Sequence, residues 1–401
     1  MITRAVKSCF LVPFLFLILT LLVGRLAVPR SYSVDTNYCQ YAQGVLFKRG
    51  VIHGGPEHFQ SLSVHLNCMI NPFRTGYASK YPPGYSALIA VGLLVGADKY
   101  INPVCGALTV LLLLLIVREH YRDDRTIFWA SIVSLVSTYL LYMSAEFWNH
   151  PSALLSCTLI VWAVTTVAVR PWLRGVVIAL ALIYCSLTRP LSSLAMTLFI
   201  GVTTSIRLWR YPESRRESLL LLASGSGGAV VGAAALGLYH YLLTGDPWLS
   251  GYEALHGPSH NPGFHVDPYG RDFTIWAGLK DLVIRWRSMN QWLFLWPIPS
   301  LSLFAFWFVM FKKWRRFDAV CLLWIVLQSV IYCFMWSAGQ VPVGPRFLYE
   351  CIPAILILSA RGVALTEEVL GAGRQARIAL MVCVAGLSAC GFYRLIEWAG
   401  S

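Results

Sequence analysis

Long apolar runs separated by short basic clusters set the pattern of this chain. A hydrocarbon core is crossed by ~20 mostly apolar residues in a helix. Read on that scale, spans fall near 8–29, 101–117, 126–145, 152–169, 174–188, 190–206, 218–243, 291–311, 318–336, 347–364 and 378–398. That predicts about eleven transmembrane helices. The apolar stretch 83–96 is too short to count among them. It is expected as a short re-entrant or interfacial helix, because backbone that does not span is tolerated where protein buries it. Two connections stand out by length, 31–82 and 244–290. Their Tyr, Trp, His and Pro content is not that of a disordered tract, and loops of this length are usually functional. The expected fold class is an all-α polytopic membrane protein, a single integral membrane domain over 1–401.

Composition agrees with the pattern and charge orients it. The 401 residues are 57% hydrophobic and 13% charged, against about 25% charged in a soluble domain. The net charge of +13 would suggest nucleic acid in a soluble protein. Here the basic residues gather between the apolar runs, as in Arg118/Arg122/Arg125, Arg207/Arg210/Arg215/Arg216 and Lys312/Lys313/Arg315/Arg316. That is the positive-inside distribution, so the charge reports topology and no nucleic-acid partner is expected. It places the N-terminus in the cytoplasm and both long loops outside. The first apolar run exceeds the ~7–15 residues of a signal-peptide core, so it is expected to remain as helix 1. No CxxC occurs among the 11 cysteines, and paired metal or redox spacing is therefore missing. Cys39 and Cys68 share the first external loop, where pairing is open.

The chemistry-bearing residues collect at the external ends. Asp35, in Ser33-Val34-Asp35-Thr36-Asn37-Tyr38, lies just past helix 1, where it serves either as an acid–base group or as a helix N-cap. The same loop closes on Lys80-Tyr81-Pro82-Pro83-Gly84, with Lys80 placed to meet a phosphate or to snorkel to the interface. Glu146, Asn149 and His150 crowd one short turn. Arg189, in Thr188-Arg189-Pro190, sits between two apolar runs, a position costing ~2.5–3.5 kcal/mol on insertion scales and functional by default. Arg346 repeats the situation before span 347–364. Guanidinium groups fit phosphate bidentately, so the two form a candidate anion cradle; the alternative is pairing with Glu350 or Glu146, or snorkelling. His256, His260 and His265 in the second loop match no standard metal spacing. Beside Trp248, Tyr252 and Phe264 they suit a sugar, which stacks on aromatic faces and hydrogen-bonds at its edges. No metal or other cofactor is expected.

Taken in order, these features resemble the GT-C membrane glycosyltransferases. The nearest likeness is to bacterial relatives of dolichyl-phosphate-mannose protein mannosyltransferases and to the aminoarabinose and galacturonic-acid lipid A transferases. The strings that carry it are Tyr81-Pro82-Pro83-Gly84, Asn102-Pro103-Val104-Cys105-Gly106, Met143-Ser144-Ala145-Glu146-Phe147-Trp148-Asn149-His150, Thr244-Gly245-Asp246-Pro247 and Gly344-Pro345-Arg346-Phe347. The resemblance implies a polyprenyl-phosphate-linked sugar donor used at the external face of a bacterial-type inner membrane, with a lipid, glycan or protein acceptor. It places the general base at Asp35. Many relatives carry a second acid beside it, where this chain has Thr36. Arg189, Arg346 and Lys80 would bind the donor phosphate. Tyr38, Tyr81, Glu146, Asn149, His150, His260 and His265 would bind or orient substrate. The chain ends shortly after its last span, so acceptor recognition is expected from the two external loops.

A transporter or lipid flippase is the reading from another class. It would place ionisable groups in mid-span and break helices there. Seven of the nine histidines instead fall in external loops or turns, and no internal repeat is visible. That asymmetry favours chemistry at one membrane face.

Overall fold

The structure is a computed structural model and describes residues 2–28, 35–55, 69–70, 76–309, 313–337, 339, 344–371 and 373–400. Sixteen helices appear among them: α1 (Ile2–Leu26), α2 (Asp35–Lys48), α3 (Pro83–Leu94), α4 (Ile101–Tyr121), α5 (Asp124–Val136), α6 (Thr138–Ala145), α7 (His150–Thr165), α8 (Pro171–Thr188), α9 (Pro190–Arg210), α10 (Arg215–Thr244), α11 (Gly251–His256), α12 (Ile275–Trp292), α13 (Ser302–Val309), α14 (Arg316–Tyr332), α15 (Ile352–Val369) and α16 (Arg374–Gly400). One two-stranded antiparallel sheet pairs β1 (Met69–Ile70) with β2 (Ala78–Ser79), Met69 opposite Ser79. The protein is an integral membrane protein.

Local chemistry explains where the helices start. Proline occupies the first turn of α3, α7, α8, α9 and α15, where its missing N–H costs nothing and its fixed φ suits the helix. Side-chain oxygens of Asp123, Ser137, Ser250 and Thr274 accept from the backbone N–H groups that open α5, α6, α11 and α12, satisfying orphan donors.

Six helical segments are long and apolar enough to cross a membrane, and a seventh forms if α5 and α6, bent by 53° at Ser137, act as one. The apolar helices 10–26, 83–94 and 150–165 are shorter. The expected eleven spans are therefore not all present as full-length helices. Helix α3, at 12 residues, is ~18 Å long, in keeping with a helix that does not cross. The expected span 291–311 is not one helix: α12 stops at Trp292 and α13 starts at Ser302. Pro297 and Pro299 lie between them, and proline both removes a helical N–H and disfavours helix in the residue before it. The second long connection is in turn more ordered than a loop, since α11 and α12 lie within it.

Helix α15 forms the axis of the bundle. Its span is wholly buried by protein, and its Ile355, Leu356 and Leu358 join a core with Trp129, Phe199, Leu182 and Trp324. Around it α8 packs on α10, α7 on α8, and α13 on α15. Many helices carry an apolar outer face, as at Leu180, Leu198, Val230 and Val382, which is the face a lipid-embedded bundle presents.

A candidate functional site at one end of the bundle

Three chain segments converge at one end of α15. The first is the end of the 31–82 connection. From α2, the fully buried Gln43 donates through Nε2 to Ile52 O at 2.7 Å and accepts from Ser79 N at 2.8 Å. That clamp, with the β1–β2 pairing, fixes the backbone just before Lys80. Pro82 and Pro83 then turn the chain into α3. Gly84 allows the start of α3 to lie against the end of α8: an added Cβ would come within 2.8 Å of Leu187 O and collide with the Thr188 hydroxyl. Lys80 and Arg189 are thereby brought to one corner.

The second segment is the break between α8 and α9. Arg189 is the C-cap of one and the N-cap of the other, with φ −143° and ψ 84°. Pro190 excludes helical geometry from the residue before it, so the sequence itself interrupts the helix at the arginine. The arginine is nearly buried, and Nε lies 2.9 Å from Glu350 Oε1. Nη1 lies 3.2 Å from His150 Nε2, and Nη2 donates to the Tyr332 hydroxyl at 2.9 Å. His150 Nδ1 is 3.1 Å from the same Glu350 oxygen. A guanidinium only donates, so His150 accepts at Nε2 and donates from Nδ1 to Glu350. Gln328 donates to the other carboxylate oxygen at 3.2 Å, and Ser192 is 2.9 Å from the Tyr332 hydroxyl. Pairing with Glu350, the alternative left open for Arg189, is thus made.

Arg346 heads the third segment, a turn of 3-10 helix over Arg346–Cys351 that leads into α15. Its guanidinium lies 5.0 Å from the centre of the Phe347 ring, and its Nε–H is buried without a hydrogen-bond partner. No ion pair involves it among the described residues.

The second connection covers this corner. Gly251 opens α11 directly against Lys80; a Cβ there would sit 2.5 Å from Lys80 O. Tyr252 meets Tyr81 edge-on at 5.2 Å, and both belong to a cluster with the buried Tyr38. The Lys80 ammonium lies 5.5 Å from the Tyr81 ring centre, 5.2 Å from that of Tyr252 and 2.9 Å from His256 Nε2. His256 stacks on His260 at 4.4 Å, and His260 packs on Trp336, whose indole donates to His260 O. The two arginines share a neighbouring ring, their guanidinium groups lying 5.7 Å (Arg189) and 5.0 Å (Arg346) from the centre of Phe347. Partial burial and the Lys80 charge, with His260 adding to them, push the His256 imidazole down to about 4. It is therefore a neutral acceptor for the lysine.

The remaining sequence-derived candidates divide. Asn149, buried, donates to Thr188 O at 3.4 Å beside the arginine. Glu146 accepts from the Tyr142 hydroxyl at 2.7 Å, and its carbonyl accepts from Asn102. His265 stands apart: both ring nitrogens lie against backbone carbonyls, Val266 O at 2.8 Å and Asn261 O at 2.7 Å. Those acceptors raise its pKa, and it braces its loop. Asp35 is the first residue of α2, one turn before Tyr38; its side chain lies outside the described residues. Cys39 is disulfide-bonded, while Cys68 lies outside the described residues. Among the described residues no group of three His, Cys, Asp or Glu side chains forms a metal-binding cluster.

Several site residues escaped the sequence reading. Gln328 and Ser192 are polar positions inside apolar spans, a signal in themselves. Arg285 is fully buried and donates to the carbonyls of Tyr332 (2.5 Å), Met335 (2.8 Å) and Ser337 (2.5 Å). It anchors the end of α14, which carries Tyr332 and leads to Trp336. Helical spacing of Gly278, Leu282, Arg285 and Met289 marks the inward face of α12.

No protein-family profile and no curated protein matches the chain. Solved structures do. The apo oligosaccharyltransferase of Archaeoglobus fulgidus aligns with TM-score 0.50 at 12% identity, over 96% of this chain and 55% of that one. The same enzyme tethered through a disulfide to an acceptor peptide containing the NVT sequon aligns with TM-score 0.50 at 13% identity, over 99% and 55%. This chain spans about half the length of those structures. The chain therefore shares the overall fold of that oligosaccharyltransferase.

Proposed function

We propose that the chain is an inverting glycosyltransferase. It moves a sugar from a polyprenyl-phosphate donor to an acceptor hydroxyl at the external membrane face, as one integral membrane domain over 1–401. The observation that carries this reading is three cations set over aromatic rings at one end of the bundle, Lys80 over Tyr81 and Tyr252, Arg189 over Tyr332 and Phe347, and Arg346 over Phe347, with Asp35 one helical turn before Tyr38 of the Tyr81 cluster. Cations over aromatic faces suit a phosphate with a sugar attached. The likeness to an oligosaccharyltransferase supports the fold this chemistry uses.

In this reading the acceptor oxygen attacks the anomeric carbon as the bond to the lipid phosphate breaks. Asp35 takes the acceptor proton, a contribution of ~10²–10⁴-fold, and a single displacement inverts the anomeric centre. The phosphate departs as an anion held by fixed cations, so no general acid is needed. Arg346, which has no ion-pair partner among the described residues, gives the most direct contact. Lys80 is steered by the neutral His256. Arg189, neutralised by Glu350, shapes the wall and presents its edge. Tyr38, Tyr81, Asn149, His150 and His260 orient sugar and phosphate; Glu146 organises the turn that presents His150. The disulfide at Cys39 supports an oxidising, external location for this end.

The test uses protein in lipid nanodiscs and a panel of radiolabelled polyprenyl-phosphate sugars, following release of free polyprenyl phosphate. Wild type should release it from one donor. Asp35→Asn should lose ~10²–10⁴-fold in turnover with donor binding kept, and Arg346→Ala should weaken donor binding. Full turnover by correctly inserted Asp35→Asn would remove the assigned base. No donor binding by folded wild type would favour a transporter.

A further inference from the structure

At the other end of α15, away from Lys80 and Arg346, lies a cavity of about 460 Å³. Its walls include Arg125, Lys313, Arg315 and Arg361, with Asp123 and Glu368 as the acids. Four cations thus face two carboxylates, and the acids are already occupied. The Asp123 carboxylate accepts from Arg125 N at 3.1 Å and from the Thr126 hydroxyl at 2.5 Å, leaving Arg361 Nη1 at 3.7 Å. Glu368 pairs with Lys313 at 2.7 Å, both half-exposed. Arg125 reaches only the edge of Glu367, at 3.9 Å, since that carboxylate binds Arg377 and the Trp129 indole.

Arg361 carries the argument. It is 6% exposed, and its guanidinium lies 5.6 Å from the Tyr121 ring centre. Nη2 donates to Lys313 O at 3.3 Å, whereas Nε–H has no partner. A buried guanidinium donor that lacks an acceptor, on the wall of a cavity with surplus positive charge, is built for an oxyanion. Phosphate matches the guanidinium fork in shape and charge. A cavity of this size lies within the range of small-ligand sites.

We propose that this cavity is a second anion site, taking a phosphate group, distinct from the site at the other end. Arg361 and Arg125 grip the phosphate oxygens, Lys313 closes from the rim, and Trp314, also in the lining, covers one side. The phosphate comes either from an anionic lipid headgroup or from a soluble phosphate.

The whole protein in phosphatidylcholine nanodiscs distinguishes these sources without any turnover. In one arm inorganic phosphate is titrated while the Trp314 fluorescence is read as wild type minus Trp314→Phe. In the other, phosphatidic acid is included and retained lipid is counted by native mass spectrometry. A saturable Trp314 change with inorganic phosphate assigns a soluble phosphate; retained phosphatidic acid without it assigns a lipid. Lys313→Ala with Arg125→Ala, both solvent-accessible positions, should weaken either signal by about tenfold per cation removed. Arg361→Lys, which keeps the charge but loses the Nε donor, should weaken it as well. Equal signals in wild type and in the folded double variant, or no signal in either arm, would overturn the proposal.

Discussion

At the scale of single residues, the candidate site is a set of buried charges held by exact partners. Glu350 is fully buried and serves Arg189, His150 and Gln328 together. Removing one member of such a pair leaves a charge in low dielectric, a loss of about 3–5 kcal/mol. Glu350→Ala should therefore lower the thermal midpoint of the purified protein sharply; an unchanged midpoint would show that Arg189 finds solvent or another acceptor. His256 gives a pH signature. Its unfolded pKa is about 6.5, and in the fold it is pushed down to about 4 by burial first and then by Lys80. Between those values the unfolded chain binds more protons, so this group's contribution to stability is present above pH ~6.5 and is lost as pH falls toward 4. Ring-proton NMR on selectively labelled histidine should show a His256 midpoint near 4 that rises in Lys80→Ala. A midpoint of 6.5 in wild type would mean that the ring is neither buried nor beside the lysine.

At the scale of elements, prolines decide where side chains point. Pro190 stops α8 at Thr188 and leaves Arg189 in an extended conformation between two helices. Pro190→Ala removes the restriction on Arg189 and lets the α8 register continue. In the proposed reaction a displacement of ~1 Å at a residue that shapes the donor site costs about 10²-fold, so turnover should fall on that order while the protein still inserts and folds. Single-turnover measurement of polyprenyl-phosphate release checks it; wild-type turnover would show that packing by Gly84 and Glu350 alone fixes the arginine. Helix α12 acts differently. Its inner face carries Arg285 to the end of α14, while Ile275, Trp276 and Val283 are exposed. An amphipathic helix of this kind suits the membrane interface.

At the scale of the whole molecule, polar chemistry is segregated to the two ends of a bundle whose axis, α15, is sealed in protein. The end with Lys80, Arg189 and Arg346 carries the two long connections, and the end with Lys313 and Arg361 carries the basic clusters. The positive-inside distribution predicts that the first end is external. A protease site inserted after Gly257, which begins an open turn next to α11, should be cut by protease added to intact spheroplasts. Protection there, with cutting only after lysis, would reverse the orientation and with it the face on which any donor is used.

Hydropathy, charge and punctuation determined much of this by themselves. An apolar run long enough to cross a bilayer has few alternatives to a helix, because backbone groups in lipid must pair internally; this made the helical membrane class, six of the expected spans and the short helix at 83–94 legible. Arg189 and Arg346 stand out in the sequence as well, because charges at the ends of apolar runs are costly enough to need a reason. Tertiary structure alone decided what those charges do. Nothing local to Thr188-Arg189-Pro190 identifies Glu350, more than a hundred residues later, as the partner, and nothing near Lys80 identifies His256. Such pairs arise where helices distant in sequence meet, and packing selects among acids that look equivalent along the chain. The same holds for span 291–311, where hydropathy outvoted Pro297 and Pro299, and for Arg285, whose role exists only once α12 lies against the end of α14. Periodicity records which face of a helix is buried; only the assembled bundle records against what.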